Sequence, residues 1–303
     1  MLAAKFSLKS GSDSSLLFDT LQALERTSEY AVREANATRF SMLAFAVAAL
    51  LGGLTGTMNL VIPYYLSALG AIVAVLICYK FSEPTANDEA EPFLQQLGIC
   101  FKRLRQPQLL WLFGFFVFAY SLMHVPAEFN QPYIKLLQIN ILAHNDSSAL
   151  ISGIMVAISM AGGALGATAS MALQKRFGVR ALLLFGLSLM VLIIIGMVSV
   201  LHSAVLLFVL FRNFPMALCE APMLAAIAPH IQSHYRATYL SLQSLVGRFG
   251  FAIMLYSLSN VVGSTENSGQ LSWPDLQIAL FISLIIGLLC LALLVFHRDK
   301  IGN

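Results

Sequence analysis

Apolar residues run along this chain in long stretches separated by short polar segments, and the stretches have the length of a membrane span. A helix needs about 20 mostly apolar residues to cross the hydrocarbon core. Windows of that length predict eight helices, at approximately 40–58, 60–80, 108–128, 148–172, 179–201, 204–228, 237–262 and 273–297. None alternates with period two, which excludes a β-barrel. Ahead of the first span lies a polar segment, residues 10–39. There Leu16, Leu17, Leu21 and Leu24 put one apolar stripe on a short helix, with Ser12 and Asp13 as N-caps. Such a helix is expected along the membrane surface or under the bundle.

The longest interruption covers 81–107. It opens on SEPTANDEAEP and closes on the basic FKRLRQP. The acidic, Pro-containing half reads as a linker. The second half places Phe93, Leu94, Leu97, Phe101 and Leu104 on an amphipathic interfacial helix. The chain therefore divides into a two-span module over 1–80, a cytoplasmic linker over 81–107 and a six-span module over 108–303.

Composition decides where such a chain lives. Hydrophobic residues make up 58% of the 303 and charged residues only 11%, with a mean hydropathy of +0.78. Soluble domains carry about 25% charged residues, so this apolar surface requires a lipid bilayer as partner. The net charge of +3 is small and scattered, which argues against nucleic acid. Cys78, Cys100, Cys219 and Cys290 lie far apart with no CxxC spacing, so no disulfide framework or zinc knuckle is indicated. The opening MLAAKFSLKSGSD lacks the apolar core of a signal peptide. Of the 18 Lys and Arg residues, all but Lys135, Arg212 and Arg248 fall on one side of an eight-span arrangement. The positive-inside rule makes that side the cytoplasm and places both termini there. The expectation is a multi-pass protein of the cell membrane.

Three segments carry a resemblance. The loop GATASMALQKRFGVRALLLFG joins the fourth and fifth spans with a Gly-rich helix end and a basic turn. His234–Gln243, HYRATYLSLQ, opens the seventh span with Arg-Ala-Thr. SGSDSSLLFDTLQAL (10–24) lies near the start. In this order, and with six spans after a charged loop, they resemble the major facilitator superfamily. The first is similar to that family's cytoplasmic loop signature: Arg176, Gly178 and Arg180 match, while Lys175 stands where an acid is usual and Met171 where a Gly is. The Arg-Ala-Thr segment resembles the start of the family's eleventh helix. The segment over 10–24 is similar to the cytoplasmic end of helix four in many bacterial members, with Phe18 for a frequent Tyr. The resemblance implies an all-α membrane bundle whose eight spans are helices five to twelve. Residues 1–9 are then the end of helix four, and the N-terminal half is incomplete. It also implies a secondary transporter that moves a small solute by alternating access, with proton coupling as one option, and Arg176, Gly178 and Arg180 in a gating loop. The alternative is a non-transporting membrane protein, a remnant or a scaffold. The resemblance implies no cofactor, and no P-loop, GxSxG or HExxH motif points to an enzyme.

Ionisable side chains at a helix centre cost about 2.5–3.5 kcal/mol on insertion scales, so the few present are the candidate chemistry. Arg212 and Glu220 lie in the sixth span and Arg248 in the seventh. His124 and Glu128 lie toward the outer end of the third. Two antiparallel helices leaving a turn near 229–236 bring Glu220 and Arg248 to similar depth. Their ion pair is either a structural lock or part of proton coupling. Arg212 has Tyr256 as its level neighbour, so it either binds an anionic or polar substrate group or snorkels to the interface. Asn213 shares a helix face with Glu220, and Pro215 and Pro222 interrupt the same span. His124, Glu128 and Gln131 follow i, i+4, i+7. They face a cavity if the helix continues past Pro126 and the headgroups if it ends there. Gly52/Gly56 and Gly162/Gly166 offer small-residue faces for close helix approach between the family's fifth and eighth helices, or against any other neighbour. His230 and His234 have metal spacing but no third ligand, and Asn36 and Asn145 open chance-length sequons.

Overall fold

The computed structural model describes residues 11–80, 92–137, 148–263 and 272–297, and every regular element among them is helical. In chain order these are α1 (Ser12–Ala23), α2 (Tyr30–Met58), α3 (Ile62–Cys78), α4 (Phe93–Arg103), α5 (Pro107–Leu136) and α6 (Ser148–Phe177). They continue with α7 (Val179–Ser199), α8 (Ser203–Leu210), α9 (Asn213–Ile227), α10 (Ser233–Gly263) and α11 (Trp273–Phe296), with 3₁₀ turns at Thr27–Glu29 and Ala228–His230. Six stretches are long and apolar enough to cross a membrane: Thr27–Met58, Pro107–Ile134, Ala149–Phe177, Val179–Ser199, Ser203–His230 and Trp273–Phe296. The apolar α3 has 17 residues, and the longer α10 carries Gln243, Ser244 and Arg248 into the bundle. Together they fill the eight predicted span positions in an all-α integral membrane fold. The helix end expected over 1–9, the acidic half of the linker, the sequon at Asn145 and most of the loop between α10 and α11 lie outside the described residues.

Three local expectations change, each for a physical reason. The first concerns α2, which begins at Tyr30 rather than near 40. Arg33, Glu34 and Arg39 depress hydropathy there, but Ala31, Ala35 and Ala37 favour helix, and Glu34 and Thr38 are buried against the bundle. Part of the supposed surface segment is therefore the opening of a span. The second concerns α1. Its N-cap is Gly11 at φ 82, with no side-chain cap from Ser12 or Asp13. A Cβ at Gly11 would lie 2.5 Å from the Leu240 Cβ, so glycine meets both the left-handed backbone and the close approach. Its buried face is Ser14, Ser15, Phe18 and Leu21, while Leu24 is exposed.

The third change is in the sixth span, which breaks between α8 and α9 at Phe211 and Arg212. Pro215 causes it: proline has no N–H, and its ring clashes with the carbonyl four residues back, that of Phe211. The chain crosses the break with tighter bonds, Phe211 N–H to Phe208 O at 3.0 Å and Arg212 N–H to Val209 O at 3.1 Å. Proline is tolerated inside α5, which runs through Pro126 and Pro132 to Leu136.

The main core lies among α5, α7, α10 and α11, around Leu112, Phe115, Leu122, Leu187, Ile194, Tyr239 and Leu280. Trp111 Nε1 donates to Leu294 O at 2.9 Å and ties α5 to the end of α11. Along α6 runs α2, and their backbones meet at Gly53 and Gly153. A Cβ on Gly153 would lie 2.5 Å from Ala49 O and 2.9 Å from Gly53 Cα. Of the glycines picked out by spacing, Gly52 faces open space and Gly56 meets Ala149. Gly162 and Gly166 receive Phe211 and Phe214 beside the break. The two helices do approach closely, but through a different glycine pair. On α4, Gln96 Oε1 accepts from Thr238 Oγ1 at 2.8 Å and Cys100 is buried, whereas Leu94 and Phe101 of the predicted stripe are exposed.

Candidate functional site

A cavity of about 390 Å³ lies where α1, α2, α5, α9 and α10 converge. Each long helix supplies a stripe at helical spacing. From α2 come Glu34, Thr38, Ser41 and Phe45; from α9, Met216, Glu220 and Met223; from α10, Leu240, Gln243, Ser244 and Arg248. The first turn of α1 adds Asp13 and Ser14, and α5 adds Phe116. Hydrogen bonds cross the space between elements. Ser14 Oγ donates to Glu34 Oε1 at 2.7 Å, and Thr38 Oγ1 donates to Glu220 Oε2 at 3.2 Å. Gln243 is buried and donates through Nε2 to Leu112 O at 3.4 Å. Three carboxylates, on Asp13, Glu34 and Glu220, share the lining with one guanidinium, on Arg248. Inside a low-dielectric bundle that excess favours a cation, a proton or a hydrogen-bond donor over an anion.

Glu220 and Arg248, on the two helices that flank the turn at Ala228–His230, both line this cavity. It leaves the other candidates elsewhere. Arg212 sits half-buried at the α8–α9 break, with Nη1 3.5 Å from Val209 O, outside this cavity. Asn213 Nδ2 donates to Ser159 Oγ at 3.0 Å, which ties the start of α9 to α6. His124 stacks between Tyr120, at 4.4 Å, and Phe251, at 4.9 Å, with Nδ1 2.8 Å from Tyr120 O. One turn on, Glu128 is exposed; the Gln131 side chain is not among those described.

The loop residues also divide. Gly178 takes φ 78 at the start of α7, a conformation that glycine adopts without strain. Arg180 reaches from α7 to the end of α11, where Nη2 donates to His297 O at 2.7 Å and Val295 O at 3.2 Å. Its guanidinium lies over Trp111 at 5.8 Å. A cation on the last carbonyls of a helix is a favourable C-terminal cap. Arg176 lies over the adjacent Phe177 ring at 5.2 Å. All these contacts stay within the six-span module.

A second inter-module contact had no forerunner among the sequence candidates. Asp19 on α1 forms an ion pair with Arg236 at the start of α10. The Arg236 side chain is 3% exposed, lies over Phe18 at 4.1 Å and donates through Nη2 to Ile231 O at 2.8 Å. Phe18 in turn meets Tyr30 edge-on at 5.0 Å. Asp19 and Arg236 are 217 positions apart, a pairing no spacing rule reaches. The cavity residues Glu34, Thr38 and Ser41 did have a signal, their i, i+4, i+7 spacing, which was hidden because the segment read as preceding the span.

The described residues thus form a helical bundle with span-length apolar helices and a polar cavity among them. The model of the Major Facilitator Superfamily matches residues 15–255, and the chain belongs to that superfamily. It is similar to the crystal structure of a bacterial homologue of the human lysosomal transporter Spinster, in an inward-facing and unoccupied conformation. That likeness has a TM-score of 0.47 and 15% identity, over 94% of this chain and 73% of that one. Among curated proteins none matches the chain.

Proposed function

We propose that the chain acts as a secondary active transporter that moves a small solute by alternating access, with the cavity between α2 and α9–α10 as its polar binding site. One observation carries this reading: Glu34, Glu220, Gln243 and Arg248, from three helices, line one space in an otherwise apolar bundle. Intramembrane charges are retained where a wet pathway or a partner stabilises them. In this reading Glu220 exchanges its proton or a cationic group of the solute against Arg248, and Thr38 on α2 senses which is bound. The Asp19–Arg236 pair closes the bundle on the side carrying both termini. The charge asymmetry of the loops supports the cytoplasm for that side, in the cell membrane.

A second reading, a membrane protein that does not transport, is favoured by α3, which buries no residue and lines no part of the cavity. Reconstitution separates the two. Vesicles carrying the chain under an imposed proton gradient are screened for saturable uptake of cationic and neutral solutes. The transporter reading expects uptake that Glu220→Gln abolishes. Vesicles without saturable uptake of any solute favour the second reading.

A further inference from the structure

A separate cleft of about 980 Å³ is formed between the turn that follows α1, the end of α4 and the α9–α10 turn. Its lining includes Arg103 from α4, His230 from the 3₁₀ turn, His234 and Arg236 from α10, and the hydroxyls of Thr27 and Ser28. None of the described residues that line it is an Asp or Glu. The basic side chains thus come from α4 and from the α9–α10 turn with the start of α10, segments far apart in sequence, and no carboxylate opposes an anion among the described lining residues. The first turn of the 31-residue α10 opens at the same place, and helix N-terminal N–H groups with the helix dipole add to the positive potential there.

Arg236 supplies the independent observation. Its Nη1 pairs with Asp19 and its Nη2 with Ala228 O and Ile231 O. Its buried Nε has no hydrogen-bond partner among the described residues. A buried guanidinium N–H without an acceptor is destabilising, because its desolvation is not offset. The Asp19 carboxylate is already engaged with Nη1. Arg236 therefore lines the cleft as a cation that the fold leaves one acceptor short, and acceptor oxygens in the cleft would complement it. Planar guanidinium groups suit tetrahedral oxyanions in particular.

We propose that this cleft binds a phosphate-bearing anion, held by Arg103 and Arg236 against the hydroxyls of Thr27 and Ser28. Binding there joins the α1–α2 segment to the α4 helix and the α9–α10 turn, so an occupied cleft stabilises that end of the bundle. The phosphate belongs to a lipid headgroup or to a soluble metabolite; both offer the same oxygens to the same donors.

The purified full chain separates the sources. In detergent micelles, inorganic phosphate is titrated calorimetrically, and thermal unfolding is followed in parallel. In nanodiscs, unfolding is compared between phosphatidylcholine alone and phosphatidylcholine with phosphatidic acid. A soluble source predicts saturable phosphate binding and a raised Tm in micelles. A lipid source predicts no effect of phosphate but a raised Tm with phosphatidic acid. In either arm Arg103→Gln weakens the effect about tenfold, the worth of one charge-assisted contact. Ser28→Asp, on an exposed position of the lining, abolishes the effect by placing a carboxylate among the ligand oxygens. Binding in neither arm, or equal binding by both variants and the unaltered chain, overturns the proposal. The micelle measurement does not depend on which side of the membrane the cleft faces, or on transport.

Discussion

Two apolar helices of the bundle, α7 and α3, have much the same sequence character and opposite fates. Leu183, Leu187, Met190, Ile194 and Met197 of α7 are buried in the main core, and Gly186 lets α9 approach at Cys219. In α3 no residue is buried, and Tyr64 and Tyr65 are 76% and 72% exposed. Intermediate in burial is α2, which presents Glu34, Thr38 and Gly53 inward and Leu50, Leu51 and Leu54 outward. Hydrophobicity brings a helix into the bilayer but does not choose its neighbour, because lipid tails are as apolar as leucine. Neighbours are chosen by small-residue contacts and polar bonds. Both α7 and α2 have the two kinds of contact; α3 faces outward.

The difference can be broken most severely at Gly153. Gly153→Leu would drive a side chain into the backbone of Ala49 and Gly53, atoms that cannot move aside. Overpacking costs of about 1–3 kcal/mol are typical, and a backbone clash lies at or beyond the upper end. The expected outcome is loss of the α2–α6 contact, read as a collapse of monodisperse yield in detergent chromatography. Gly70→Leu on α3, where a Cβ meets nothing within 4 Å, leaves yield unchanged. An equal loss in both variants would mean that the α2–α6 contact is not special.

Next in size is the core of α7 against the surface of α3. Leu187→Ala removes a fully buried side chain and lowers stability by about 2–5 kcal/mol. Ile72→Ala, on a residue 58% exposed, lowers it by less than about 0.5 kcal/mol. Thermal or denaturant unfolding in the same micelle compares the two directly.

The contacts of α1 and α2 with the six-span module are tested by charge. Asp19→Asn leaves Arg236 buried without its carboxylate, and Glu220→Gln does the same to the cavity. Truncating one partner of a buried pair costs about 3–5 kcal/mol, less here because Asp19 keeps 21% side-chain exposure. For Glu220 and Arg248, neutralising either alone lowers folded yield and neutralising both recovers part of it. A double variant no better than the sum of the singles would show that the two do not interact.

The smallest effect is chemical. Burial pushes the Cys100 thiol above its ordinary pKa, so the reactive thiolate is scarcer at neutral pH. Cys78, at the end of α3, is exposed. A maleimide added to the folded chain labels Cys78 first, and Cys100 reacts only after unfolding. Similar rates for both would show that α4 does not hold its place on α10.

Length and hydropathy by themselves determined that this chain is a helical membrane protein; they predicted eight spans, of which six described stretches have the length and hydropathy to cross a membrane. The basic loop over 166–186, the Arg-Ala-Thr segment and residues 10–24, taken in their order, pointed to the superfamily to which the chain belongs. Counting residues from one turn also predicted that Glu220 and Arg248 lie near each other, and both line the same cavity. Only the tertiary structure decided the rest. Whether Glu34 lies under the membrane or inside a cavity depends on a helix that continues through polar residues, which a hydropathy window averages away. Which glycines touch depends on the rotation of α2 against α6, and a shift of one residue turns a helix by about 100°. Arg212 sits at a break set by Pro215 acting on the carbonyl of Phe211. The pairing of Asp19 with Arg236 depends on two segments meeting across the whole bundle. Local sequence encodes how far each helix runs and how apolar it is; the face it presents, and to whom, is settled only when all the helices pack at once.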